Sequence, residues 1–206
     1  MKRQNDPLYT RLKMDQKVAI DHQHREYDLF IPSQLDSINK YPLVISLHGH
    51  FGSKEDGTGR SGKKSPQKIW MDVGEREKVF VAYPQGNIGG DGHRGWNGCR
   101  ADALSNPESD DVEFLSTLIG DLIKQYPIDP RQVYIAGMSN GGGMAYRMGA
   151  EAPHLIAAIA IIIFNAPAQS ECTAPKHPIS VLLMNGTNDP LSPYEGGIMQ
   201  KGKISD

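Results

Sequence analysis

Residues 132–141 read QVYIAGMSNG, and this stretch decides the fold. Gln132 to Ala136 is an apolar, β-branched and aromatic run that follows a turn from Pro127 to Pro130, the pattern of a buried strand. Gly137-Met138-Ser139-Asn140-Gly141 comes next, a G-x-S-x-G, and Asn140 to Ala152 reads as helix. Strand, sharp turn and helix form the context that a nucleophile elbow requires. The turn is so tight that a Cβ on either side of the serine would strike the neighbouring strand or helix, hence the two glycines. It leaves the Ser139 hydroxyl exposed and aims the first N–H groups of the helix at the same point. The amide of Asn140 could therefore bind a developing oxyanion. A glycine-rich turn that merely contains a serine is the competing reading, and the strand-turn-helix context disfavours it.

Two further segments sit at the ends of predicted strands. Tyr41 to Leu47 (YPLVISL) is a continuous apolar run of the kind buried in parallel sheets, and His48-Gly49-His50-Phe51-Gly52 follows it. An H-G-x-x-G there supplies a second oxyanion donor in hydrolases of this type. The backbone N–H of His50 is assigned that role, with Phe51 the next choice, and the ring of His48 is expected to shape the loop rather than act as a base. Ile179 to Asn185 (ISVLLMN) is another strand, and Asp189 lies in the loop after it. An acid in that place would orient a histidine and stabilise its imidazolium, and the order Ser139 then Asp189 suits a serine, acid, histidine sequence.

Between these segments strands and helices alternate. Arg25 to Pro32 has strand character, Pro66 to Lys78 reads as helix, and Val79 to Tyr83 (VFVAY) is a buried strand. A glycine-rich loop runs from Pro84 to about Pro107. Asp110 to Tyr126 carries apolar residues at helical spacing behind an acidic start, and Leu155 to Ile163 is a strand. The alternation predicts one α/β domain over residues 1–206, entered by a polar segment of residues 1–26. Its sheet is mostly parallel, with helices on both faces. Ligands of such sheets bind beyond the carboxyl ends of the strands. Lys54 to Pro66 is polar and glycine-rich, and is expected to be a mobile flap or a plain solvated loop.

Composition excludes several classes. The 206 residues carry 22 Lys and Arg against 24 Asp and Glu, a net charge of −2, so no nucleic-acid partner is expected. The longest apolar run, Leu155 to Phe164, is too short for a bilayer of ~30 Å, so no membrane partner is expected either. Met1-Lys2-Arg3 is followed by polar residues rather than the apolar core of a signal peptide. Cys99 and Cys172 permit one disulfide at most and are equally consistent with two free thiols. His22 and His24 form a lone histidine pair, weak evidence that a solvated strand or loop explains better, so no metal site is expected. The sequence does not fix an oligomeric state.

HGHFGS, VAYPQG, WNGC, IDPRQVYIAGMSNGGGMAYRM and NGTNDPLSPYEGG together resemble the esterase family containing polyhydroxybutyrate depolymerases and feruloyl or acetyl-xylan esterases. The likeness covers roughly residues 40 to 197. It implies an α/β-hydrolase fold and cleavage of small-molecule or polymeric carboxylic esters without metal or cofactor. An extracellular location is also implied. Carried onto this sequence, it implies Ser139 as nucleophile, Asp189 as acid, Trp96 and Asn97 near the substrate, and a Cys99–Cys172 pair. Phe51, Trp96 and Tyr194 are the aromatic residues expected around the site. One departure matters. The family's catalytic histidine lies one helix and one strand beyond the acid, yet none of residues 190–206 is histidine. Relative to the family, the C-terminal strand and helix are expected to be missing, and catalysis by this chain alone to be poor. A hydrolase-fold protein with a binding role is the alternative. His93, at the carboxyl edge of the sheet, is the candidate substitute base, whereas His154 and His177 precede strands and belong to the opposite edge.

Overall fold

Alternating apolar side chains on neighbouring strands need cover on both sides, and the architecture follows from how that cover is supplied. The computed structural model describes residues 7–20, 23–101, 103–175 and 177–197. Along the chain the strands are β1 (Leu12–Ile20), β2 (Gln23–Phe30) and β3 (Tyr41–Leu47), followed by helices α1 (Lys54–Gly57) and α2 (Ile69–Glu77). Next come β4 (Phe80–Pro84), a small hairpin of β5 (Asn87–Ile88) and β6 (Arg94–Gly95), α3 (Asp111–Gln125), β7 (Ile128–Met138), α4 (Asn140–Glu151), β8 (Ala158–Ile162) and β9 (Ser180–Met184). Seven of these strands form one sheet in the order β1-β2-β4-β3-β7-β8-β9. β1 and β2 are antiparallel, β2 joins β4 antiparallel, and all pairings from β4 to β9 are parallel.

β4 shows how the two faces are used. Phe80 and Ala82 point into the main core with Leu43, Ile45, Val133 and Ile135, which α3 and α4 cover through Leu115, Leu118, Met144 and Met148. Val81 and Tyr83 point the other way, into a smaller core closed by Met71 and Trp70 of α2. All five residues of β4 are buried, as the apolar run predicts. Asp110 caps α3, its Oδ1 accepting from the Glu113 N–H at 2.9 Å.

The structure departs from the sequence reading in four places. Residues 12–20 are not a ragged entry but an edge strand, and their alternation is hidden by a bulge between Lys13 and Gln16 where Asp15 adopts φ 53°. The expected flap begins with helix α1, capped by Ser53 and carrying a buried Lys54. The glycine-rich loop contains the β5–β6 hairpin. Leu155 closes a short 3-10 turn, so the strand there shrinks to β8. His22, half of the suggested histidine pair, and residues 198–206 lie outside the described residues. Among the described residues, no helix is long and apolar enough to cross a membrane.

β9 forms an edge of the sheet. Val181, Leu182, Leu183 and Met184 are all 54–58% exposed, so both faces of this strand are open to solvent.

Candidate active site

The chain leaves β7 through Ser139, whose φ of 54° and ψ of −122° are rare for a residue with a side chain. Such a conformation costs of order 1–3 kcal/mol and persists only where its surroundings impose it. The Ser139 N–H donates to the Ile162 carbonyl at 2.8 Å, and its own carbonyl accepts from Gly143 at 3.0 Å. Both flanking glycines are sterically required. A Cβ on Gly137 would lie 2.0 Å from the Gly141 carbonyl oxygen, and one on Gly141 would lie 2.4 Å from that of His48. Serine at a helix start ordinarily bonds the free N–H groups of the first turn. Here Ser139 occupies that position at the head of α4 but makes no such bond, and it is solvent-exposed.

The loop after β3 presses against this turn. A Cβ on Gly49 would touch the Ser139 Cβ at 3.5 Å. Gly52 donates to the Gly49 carbonyl at 3.0 Å, closing a turn whose third residue, Phe51, has φ 62° where glycine is usual. The Phe51 N–H donates to the Arg94 carbonyl at 3.0 Å, which commits it and leaves the His50 N–H as the better-placed of the two amides weighed for the oxyanion. Asn140 stands at the first helical position, where backbone N–H groups have no intrahelical acceptor. Its side chain is pinned to the backbone of Trp96, Oδ1 accepting from the Trp96 N–H at 2.6 Å and Nδ2 donating to the Trp96 carbonyl at 3.1 Å.

His48 holds this scaffold together. It is buried, its Nδ1 bonds the Gly49 carbonyl at 2.8 Å, and its Nε2 accepts from the Gly86 N–H at 3.0 Å. Those two bonds require the neutral ring with the proton on Nδ1. Burial lowers its pKa to about 4, so it stays neutral across the physiological range.

Trp96 and Asn97, expected near the substrate, are both bonded into the scaffold around Asn140, His48 and Asp111. The Trp96 indole is fully buried and donates to the His48 carbonyl at 2.9 Å, so its ring is not open to a ligand. The Asn97 N–H donates to Asp111 Oδ2 at 2.7 Å, and Asp111 in turn pairs with Arg25 at 2.9 Å. Burial pushes the Asp111 carboxyl up while the Arg25 guanidinium pulls it down. Cys99 and Cys172 are joined by a disulfide with their Cα atoms 5.1 Å apart, fastening this loop to the segment after β8.

Lys54 anchors the far end of the loop that follows β3. Its Nζ meets Asp15 at 2.5 Å and Glu55 at 2.6 Å, with Glu26 and Asp28 at 3.4 and 3.9 Å. Arg60 reaches the fully buried Asp28 at 2.7 Å.

Asp189 sits beyond β9, in the loop at the carboxyl end of the sheet where β7 also ends. Its Oδ1 accepts from the N–H groups of Leu191 and Ser192 at 2.8 and 3.0 Å. Asn185 and Asn165 brace that loop through a 2.6 Å bond between their side chains, and Asn165 donates to the Pro193 carbonyl at 2.7 Å. β8 alone separates the strands that carry Ser139 and Asp189, so those strands run about 10 Å apart. Among the described residues, no histidine bonds either of them. His50 Nε2 is on Asp91 at 2.8 Å, and His93 is exposed on the β5–β6 hairpin against Phe51. His154 lies in the turn before β8 and His177 just before β9, at the other end of the sheet.

Comparison with known proteins adds independent findings. Residues 25–190 match the family model described as esterase PHB depolymerase. A putative esterase, NocK, from Nocardia uniformis is 32% identical over 75% of this chain and 42% of its own length. Feruloyl esterase B from Piromyces equi is 30% identical over 82% of this chain and 30% of its own length. A probable feruloyl esterase C from Aspergillus niger is 27% identical, over 84% of this chain and 58% of its own. The chain thus spans between about a third and three fifths of these relatives. Among solved structures, a thermostable esterase superposes with a TM-score of 0.65 at 20% identity, covering 91% of this chain and 50% of the other. An acetyl xylan esterase from Aspergillus awamori gives 0.55 at 19% identity, covering 77% and 57%. These neighbours establish the α/β-hydrolase fold.

Proposed function

Because the chain belongs to the esterase PHB depolymerase family, we propose that it carries the acyl-transfer half of a serine carboxylic ester hydrolase, with Ser139 as nucleophile. The observation that carries this reading is the strained, exposed serine whose hydroxyl is withheld from capping the helix it heads. A hydroxyl in that position is free for a reacting carbonyl, and the strain is otherwise a cost without a return.

In the proposed reaction Ser139 Oγ attacks the ester carbonyl, and the resulting oxyanion is held by the N–H groups of His50 and Asn140. The alcohol leaves, giving an acyl-serine that water then hydrolyses. Asp189 is the acid that would orient a histidine. Ester substrates, small or polymeric, and an extracellular site of action extend the reading by likeness to relatives named feruloyl and acetylxylan esterases. The Cys99–Cys172 disulfide favours an oxidising compartment.

A specific observation favours a second reading, a hydrolase-fold protein that binds rather than turns over its ligand: no described histidine reaches Asp189. Without a base the serine keeps its proton, and only the residual ~10³–10⁴-fold over water supplied by oxyanion hole and binding is expected. Hydrolysis of p-nitrophenyl acetate by the purified chain, with and without added imidazole, separates the two. A slow rate that imidazole raises and Ser139→Ala abolishes supports the esterase machinery. Hydrolysis unaltered by Ser139→Ala would sink it, and no imidazole response together with no fluorophosphonate labelling would leave the binding protein.

A further inference from the structure

Ile163, the first residue after β8, has φ 57°, close to the value at Ser139 and rare for a β-branched side chain. The two strained residues are joined. The Ile162 carbonyl that accepts from the Ser139 N–H belongs to the peptide bond that Ile163 completes. On its other side the Ile163 N–H donates to the Met184 carbonyl at 2.8 Å, at the end of β9. Phe164 is fixed as well. Its N–H donates to Asn185 Oδ1 at 3.1 Å, and its ring lies against α4, where a Cβ on Gly143 would stand 2.8 Å from Phe164 Cε2. The chain around Ile163 is thus held from β7, β9 and α4, at the carboxyl end of the strand that separates those leading to Ser139 and Asp189. Ile163 itself joins neither apolar core and is 38% exposed. Glycine would relieve the strain and a polar residue the exposure, yet an apolar, branched side chain stands there.

We propose that Ile163 is the wall on the alcohol side of the ester-binding site and limits the bulk of the alcohol next to the ester oxygen. The side follows from the proposed reaction. The oxyanion turns towards the N–H groups of His50 and Asn140, on the side of β3. The leaving alcohol takes its proton from a base oriented by the acid. With Asp189 as that acid the alcohol departs towards β9, and Ile163 stands on that path. A β-branched side chain has little freedom at χ1, so on a pinned backbone it yields poorly to a bulky neighbour. The proposal rests on the esterase reading for the direction in which the alcohol leaves, but its own content is a limit on binding.

Affinities are measured without turnover on the Ser139→Ala chain, by ligand-observed NMR, for ethyl butyrate, cyclohexyl butyrate and ethyl cyclohexanecarboxylate. The last two carry the same ring on opposite sides of the ester group. Ile163→Gly, which suits the local φ, is expected to tighten cyclohexyl butyrate by about threefold to tenfold and to leave the other two esters unchanged. Ile163→Ala, which keeps the Cβ, should give a smaller gain of the same pattern. No gain in either variant, or an equal gain for ethyl cyclohexanecarboxylate, would overturn the wall. Fluorophosphonate labelling of the otherwise unaltered chain tests the esterase reading separately. A labelled serine with no gain on the alcohol side removes the wall alone, whereas that gain at an unreactive serine upholds the wall and removes the esterase.

Discussion

At the residue scale, the conformation of Ser139 sets stability against the proposed function. Its positive φ suits glycine better, so Ser139→Gly should raise stability by about 1 kcal/mol while abolishing Ser139-dependent ester hydrolysis. A chain of this size then gains roughly 2–4 °C in Tm by calorimetry. An unchanged or lower Tm would mean that the conformation is not strained. His48 makes a pH-dependent contribution. Burial depresses its pKa from 6.5 to about 4, so the folded state takes up its proton later than the unfolded chain does. That contribution is fully present above pH 6.5 and is lost as pH falls towards 4, by up to about 3 kcal/mol. His48→Asn should flatten the fall of Tm across that window relative to the unsubstituted chain. Residue-level legibility followed backbone constraint. Gly137, Ser139 and Gly141 could be read because few residue types tolerate that turn, and His48 because a ring after a buried strand has backbone groups to satisfy. The full burial of Trp96 was not legible, because a tryptophan among glycines gives no periodicity and its ring is covered by Phe114 of α3 and by His48.

At the scale of elements, the buried strands and amphipathic helices were visible because continuous apolar runs and 3.6-residue spacing mark them. β1 was not, since the bulge at Asp15 throws its alternation out of step. Nor was α1, because besides its neighbour Glu55 the buried Lys54 is held by carboxylates that arrive from β1 and β2, distant in sequence. This ion cluster ties the N-terminal strands to the loop that carries His50. Arg60→Met would leave Asp28, fully buried and already pushed up by burial, with the Asp15 N–H at 2.9 Å and no cation closer than Lys54 at 3.9 Å. A loss of about 2–4 kcal/mol in urea unfolding is expected, with no loss if the pair is merely decorative. The disulfide closes a separation of 73 residues, worth about 4 kcal/mol in the chain-entropy account. Reduction with dithiothreitol should lower Tm by several degrees, and an unchanged Tm would show the bridge to be idle.

At the scale of the whole molecule, the sheet is asymmetric in its protection. The β1 edge carries Lys13, Asp15 and Lys17, charges that discourage pairing with other chains. The opposite edge, β9, presents the uncharged run Val181 to Met184 with both faces open. Light scattering should rise with concentration, and Val181→Lys with Leu183→Lys should suppress it without altering fluorophosphonate labelling of Ser139. Scattering that persists in the double variant would locate the association elsewhere. The disulfide has a consequence for the order of assembly. Its two sulfurs bracket α3, β7, α4 and β8, so a nascent polypeptide exposes the first thiol long before its mate leaves the ribosome. Oxidation can seal the loop only after the serine turn has been synthesised, while β9 and the Asp189 loop are still to follow the second cysteine.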